Sequence, residues 1–414
     1  MKQKTQYKIT SVGLIPSDWG VKKFTEIFYI FPTASYSRAD LTDSDETLYM
    51  HYGDIHTKYH FHIDVNSAQL PTVPDDKVKN YELVKEGDLI ISDASEDYEG
   101  VGKAIEVVNL GEKKMISGLH TFHVREKMPV FAKLFKGYVS LHEDVVKQYR
   151  KLATGTKVYS ISKDSLLKIQ IPLPPIPEQQ KIAKILSTWD KAIQQTQSLI
   201  EKLELRNKAL AFSLLRGQLV KKNSKKISLS KFLTFTPREI EKPQKNYLAL
   251  GIRSYGKGIF HKTDFDPKAI SMEKLYEVKE NDFIVNITFA WEHAVAIISK
   301  EDEGGLVSHR FPTYVINQKM VSVDFFRHLI LQRFFRQMLD NISPGGAGRN
   351  RVLSKKDLLK IEISVPSLEE QSFIAEVLNT ANKELKQYQE KLKALNEQKK
   401  GLMQQLLTGK VRTI

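Results

Sequence analysis

Apolar side chains recur at alternating steps of four and three along two stretches of this chain. The first stretch is Ile182, Leu186, Trp189, Ile193, Thr196, Ile200, Leu203, Asn207, Leu210 and Leu214. The second is Ile374, Leu378, Ala381, Leu385, Tyr388, Leu392, Leu395, Lys399, Leu402 and Leu406. Such a rhythm keeps one stripe of an α-helix apolar, and sustained over more than about four heptads it is a coiled-coil seam. Each run predicts a long helix. Being matched in length, the two are expected to pack on each other as an antiparallel coiled coil whose few polar seam positions fix the register. Gly217 and Gly409 stand where C-terminal caps belong.

The two runs are parts of one internal repeat. Ser162 to Leu219 lies on Ser354 to Val411 at a constant shift of 192 residues, without a gap. Leu166-Leu167-Lys168-Ile169 matches Leu358-Leu359-Lys360-Ile361, Glu178-Gln179 matches Glu370-Gln371, and Leu214-Leu215 matches Leu406-Leu407. Each copy opens on a short β-rich stretch, Ile169 to Leu173 or Ile361 to Val365, that runs into proline. The segments left over, Val21 to Ile161 and Val220 to Leu353, are of similar length but weakly alike. Tyr81 to Asp88 resembles Leu275 to Asp282, and each is followed by an apolar strand-like run. Both segments read as short strands followed by a more helical end, Val130 to Leu152 and Val323 to Leu339. The expected fold is α+β: two mixed domains of similar fold, separated by two long helices, with an internal pseudo-two-fold repeat. The boundaries expected are 1–170 for the first domain, 171–219 for the central helical region, 220–362 for the second domain and 363–414 for the C-terminal helical region.

Composition narrows the function. There are 63 Lys+Arg against 49 Asp+Glu, a formal charge of +14, which favours a polyanionic partner. Nucleic acid heads that list, although a generically basic protein has the same arithmetic. No apolar run is long enough to span a bilayer and the first ten residues carry no signal-like stretch, so a cytoplasmic protein without a membrane partner is expected. Cysteine is absent, which excludes disulfides and cysteine-built zinc sites.

Two glycine-bearing basic loops precede the repeats at equivalent places: Thr154 to Tyr159, with Thr156 and Lys157, and Pro344 to Arg351, with Gly348, Arg349 and Arg351. Glycine lets backbone approach phosphate, Arg bonds guanine bidentately and Lys meets phosphate, so these residues are candidate DNA contacts. Lys58, Arg253, Lys257 and Arg310, each beside aromatic or glycine residues, are further candidates. Taken singly, each of these four is more simply read as a solvated surface charge.

Gly251 to Gly258 resembles a phosphate-binding P-loop except that Gly258 stands where Ser or Thr should hold magnesium, so a glycine-rich turn is the better reading. His56, His60 and His62 lack the supporting ligands of a metal site. Asp88, Asp93 and Glu112-Lys113-Lys114 have the residue types of a metal-dependent nuclease, but the pattern is unrepeated in a chain with 112 charged residues, the sum of 63 and 49. Neither a Gly-x-Ser-x-Gly elbow nor the Asn-Pro-Pro-Tyr or Asp-Pro-Pro-Tyr motif of adenine methyltransferases occurs. No cofactor is expected, and chemistry is expected from another chain.

Pro174-Pro175-Ile176-Pro177-Glu178-Gln179-Gln180-Lys181-Ile182, its second copy at Pro366 to Ile374, and Gly13-Leu14-Ile15-Pro16-Ser17-Asp18-Trp19 together resemble Type I restriction-modification specificity subunits over essentially the whole chain. The second copy departs from the fuller motif, reading Pro366-Ser367-Leu368-Glu369. The resemblance implies two target-recognition domains, each reading half of a split asymmetric site in double-stranded DNA. It also implies helical regions that dock two modification (methyltransferase) subunits, with restriction (motor endonuclease) subunits in the full complex. The alternative is a basic coiled-coil scaffold that binds nucleic acid without sequence preference.

Overall fold

A computed structural model describes residues 5–216, 224–343, 345 and 351–413. Two helices dominate it, Ile176–Leu215 and Leu368–Leu407, each 40 residues long. Both ends are related by the same shift, since 176 + 192 = 368 and 215 + 192 = 407. At about 1.5 Å per residue each is roughly 60 Å long. Contacts divide the chain into two compact units, Met1–Gln197 with Lys391–Ile414, and Ser198–Glu390, so each unit contains one end of each long helix.

In the first unit the main sheet has five strands in the order Phe28–Phe31, Thr121–Glu126, Leu89–Ser92, Ala104–Val108 and Phe61–Asp64. All neighbours are antiparallel except the last pair. A smaller sheet joins Met115–Ser117, Thr47–Met50 and Thr72–Val73. The helices Phe135–Val139 and Glu143–Leu152 follow, as the sequence predicts for this region. Strand Gln170–Leu173 then pairs back onto Gly20–Lys23, closing the domain just before the long helix begins.

The second unit repeats this plan with local differences. Its four-stranded sheet runs Leu233–Phe235, Thr313–Ile316, Phe283–Val285 and Val295–Ile297, all antiparallel, which matches the first four strands of the other sheet in order and direction. A second sheet has five strands instead of three. Helices Val323–Ile330 and Arg333–Asn341 follow, and Glu362–Val365 closes the domain against Lys225–Ser228. The sequence similarity around Asp88 and Asp282 marks a shared turn: Gly87 and Asn281 both adopt left-handed backbone (φ 83° and 70°) directly before a buried aspartate.

All twenty seam positions read from the sequence are buried or half-buried, and none is exposed. In the first unit Ile182 and Leu186 share a core with Leu406 and Leu407. In the second, Leu214 and Leu215 share one with Ile374 and Leu378, with Leu210 against it. The start of one helix therefore packs on the end of the other in each unit, which makes the pair antiparallel. The second long helix ends at Gly409, whose φ of 68° is that of a left-handed cap; Gly217 lies outside the described residues. The departure in the second proline motif has a local explanation. Ser367 caps that helix, accepting from the Glu370 backbone at 3.2 Å, where the first copy enters through prolines.

Candidate nucleic-acid interface

Both repeats attach their domain through the same joint. The Gln179 side chain donates to the carbonyls of Val130 (3.1 Å) and Pro174 (2.9 Å) and accepts from the Ala132 backbone (2.9 Å). Gln371 donates to Met320 and Pro366 (both 3.0 Å) and accepts from Ser322 (2.7 Å). A buried primary amide with three backbone partners fixes where the helix leaves the domain, because losing it strands buried polar groups. Beside it, buried Glu178 accepts from the Trp19 indole at 2.9 Å and from Arg412 at 2.8 and 2.9 Å. Arg412 also forks onto Asp18, so the opening Ile15-Pro16-Ser17-Asp18-Trp19 stretch and the C-terminal segment meet at this carboxylate.

Each domain is also braced inside by an arginine on its turn aspartate. Arg125 bonds Asp88 at 2.9 and 2.7 Å, and His123 adds a third contact at 2.7 Å. Burial pushes the Asp88 carboxyl up, but these hydrogen bonds outweigh it and hold its pKa below the ordinary carboxylate value. In the second unit Asp282 pairs instead with Arg238, which comes from a different element. Asp88 is thus a structural anchor. Lys114 pairs with Asp75 and Glu46, and Lys113 donates to the Val65 carbonyl, so the nuclease-like set does not converge.

The DNA-contact candidates separate into engaged and free groups. In the first unit Lys58 shares buried Asp54 with Arg38, both at 3.0 Å. Thr156 and Lys157 sit exposed on a loop closed by paired backbone bonds between Thr154 and Ser160. His56 faces Ser92 and the Ala94 carbonyl, and His62 faces the Leu134 carbonyl. Among the described residues no group of three or more His, Asp or Glu could hold a metal ion.

In the second unit the P-loop-like segment is the turn of a β-hairpin, strand Tyr247–Ile252 turning into Ile259–Phe265, so it runs into a strand where a P-loop opens a helix. Arg253 and Lys257 project from that turn and are exposed. The hairpin is fastened to the short turn Ala290–Glu292: Tyr255 and Gly256 donate backbone protons to Glu292 and His293 at 2.7 and 2.9 Å. Arg351 reaches the same turn from another direction, stacking 5.0 Å from the Trp291 ring. Its guanidinium also donates to the Ser343 and Asp340 carbonyls and to the Asp340 carboxylate, so it ties its loop to the end of helix Arg333–Asn341. Arg310 is exposed. Gly348 and Arg349 lie outside the described residues.

Known proteins give these features a family. The family model for the Type I restriction modification DNA specificity domain matches residues 16–205 and again 217–397. A Methanocaldococcus jannaschii protein named for the specificity subunit of type I restriction enzyme MjaX is 25% identical over 439 residues, covering 99% of this chain and 97% of the relative. The MjaVIII specificity subunit from the same organism is 24% identical, covering 81% and 82%. The crystal structure of a Type I S subunit from M. genitalium has the same fold, with a TM-score of 0.55 at 14% identity and 98% coverage of both chains. A chain from a structural account of type I R-M complex assembly and conformational transition gives 0.57 at 11% identity, covering 96% and 99%. With two matched specificity domains on two matched long helices, this chain belongs to the Type I restriction-modification DNA specificity subunits.

Proposed function

We propose that this chain reads a bipartite asymmetric DNA site, one half with each recognition domain, while its paired helices carry two modification subunits to the target adenines. Restriction subunits join the same frame in the full complex. In this reading residues 1–170 and 220–362 are the readers, 171–219 and 363–414 are the frame, and catalysis belongs to the partner chains. The target base must leave the stack to be methylated, so the subunit's task is to place the enzyme over it. The setting is the cytoplasm, where DNA is accessible; among the described residues no helix is long and apolar enough to cross a membrane.

The observation that carries this reading is the duplicated joint at Gln179 and Gln371. It attaches two internally different domains to matched helices, so what is read can vary while the frame stays constant. A basic scaffold without sequence preference gives no reason for keeping such a joint twice. Methylome sequencing of the host with and without this chain tests the proposal. One bipartite motif should appear or vanish with it. An unchanged methylome despite expression alongside the modification subunit would overturn it.

A further inference from the structure

The hairpin turn of the second unit carries more cations than the chain spends on itself. Arg253, Lys257, Arg333 and Arg336 come from two elements, the turn between Ile252 and Ile259 and the helix Arg333–Asn341. None of the four has a carboxylate within ion-pair distance among the described residues. Three of the nearby acids are engaged elsewhere, Glu292 by the Ser254 hydroxyl, Asp302 by His261 and Ser299, and Asp340 by Arg351, while Glu301 shares a groove with Arg253 and Lys257 without coming within ion-pair distance of them. In the first unit, by contrast, Lys58 is paired with Asp54 and Lys147 with Glu143 and Asp144.

Between two of these cations stands Tyr255, 59% exposed at the tip of the turn. Arg336 lies 5.2 Å and Lys257 5.9 Å from its ring centre. An exposed aromatic flanked by two cations is held between them by attraction to its ring face. The tip is rigid as well as charged. Tyr255, Gly256 and Gly258 all have positive φ, and the turn is bonded to Glu292 and His293. Beside it a groove of about 570 Å³ is lined by Arg253, Lys257 and Arg327 on one hand and by Glu301 and Asp302 on the other.

We propose that this turn and the first part of helix Arg333–Asn341 form a backbone clamp for duplex DNA in the second unit. Arg333, Arg336 and Lys257 meet successive phosphates, and Tyr255 is the platform that sets their spacing. The proposal rests on the DNA-reading function above. Repeated phosphate contacts explain why Arg333, Arg336 and Lys257 have no carboxylate partners among the described residues, because each such contact releases a condensed counterion from the duplex. Such contacts set register and orientation without carrying sequence information.

The test uses the full chain assembled with its modification subunits, comparing the parent with an Arg333→Gln/Arg336→Gln double variant. The probes are a duplex bearing the mapped site, a duplex with both halves scrambled, and a single-stranded RNA. The variant should bind both duplexes about ten-fold more weakly near physiological salt, by the same factor, with the slope of log K against log salt reduced by about two. Lys257→Gln should lower the slope by about one further unit. Unchanged affinity and slope in a variant that melts like the parent would overturn the clamp, leaving the DNA-reading function standing. A loss confined to the specific duplex would assign base reading instead, and a loss confined to RNA would assign a different partner; either overturns it. Failure of the parent to prefer its mapped site would remove the underlying function as well.

Discussion

Lys399 and Asp190 form an ion pair across the helix seam, with the lysine nitrogen 3.6 Å from the Phe61 ring centre and the Tyr138 hydroxyl donating to the same carboxylate. Burial pushes the Lys399 ammonium's pKa down, and the bond to Asp190 opposes it. The 192-residue shift carries Lys399 onto Asn207 (399 − 192) and Asp190 onto Asn382 (190 + 192). There Asn207 donates to the Ala381 carbonyl at 2.9 Å and lies 3.5 Å from the Asn382 amide oxygen. One end of the seam is thus fixed by charge and the other by amides. A buried polar group at a seam position specifies register because any other alignment leaves it unpaired.

Lys399→Ala should therefore destabilise the first unit by about 1–3 kcal/mol, since it leaves half-buried Asp190 with only the Tyr138 hydroxyl. Lys399→Asn with Asp190→Asn, which copies the other end of the seam, should recover much of that loss. Denaturant midpoints of the three proteins decide it. A double variant no more stable than the single one would show that the pair does not act as a unit.

The glutamine joints predict local effects. Gln179→Ala should cost about 1–3 kcal/mol, because it leaves the Val130 carbonyl and Ala132 amide without their side-chain partner. Hydrogen exchange should speed up around residues 130–132 and stay unchanged around 320–322. Gln371→Ala should give the reverse. Equal exchange at both places in both variants would contradict the role assigned to these amides.

Acid sensitivity should begin near neutrality. Burial pushes the imidazoles of His62, His142, His293 and His328 below the ordinary histidine value. A group whose folded pKa is depressed stabilises the fold above its unfolded pKa, about 6.5 for histidine, and that stability is lost as pH falls through the folded value. The denaturation midpoint should drop between pH 7.5 and 5.5, with further loss below about pH 4 as Asp88 and Asp302, whose pKa values are held low, take up protons. A midpoint independent of pH from 7.5 to 5.5 would contradict this.

The helices were legible because their information is periodic and local: seam, cap and repeat each occupy a few turns of chain. The strands beside the repeats were legible for the same reason. What brings Trp19, Glu178 and Arg412 together was not, since these residues are 159 and 234 positions apart and no short pattern links them. Lys58 could have been read better, because Asp54 stands four residues before it on a helix, the spacing at which opposite charges meet. The glycine-rich surroundings of Arg351 point to a DNA contact but do not reveal that Trp291, sixty residues earlier, and Asp340 engage its guanidinium. Arg333 and Arg336 give no signal in the sequence, because outward charges on an amphipathic helix usually mean only a solvated face. Their significance depends on a hairpin tip some eighty residues earlier, which only the fold brings near.

In the function proposed above, the paired helices would also set the distance between the two readers. Adding one heptad to each helix, after Leu203 and after Leu395, keeps both seams in phase and lengthens the pair by about 10 Å. That length corresponds to roughly three base pairs, with about a third of a turn of rotation that lowers efficiency without changing what is read. Methylation mapping of the extended protein should show both half-sites unchanged and the spacer between them longer by about three pairs. An unchanged spacer methylated at full efficiency would contradict the account, because the helices would then not be the ruler.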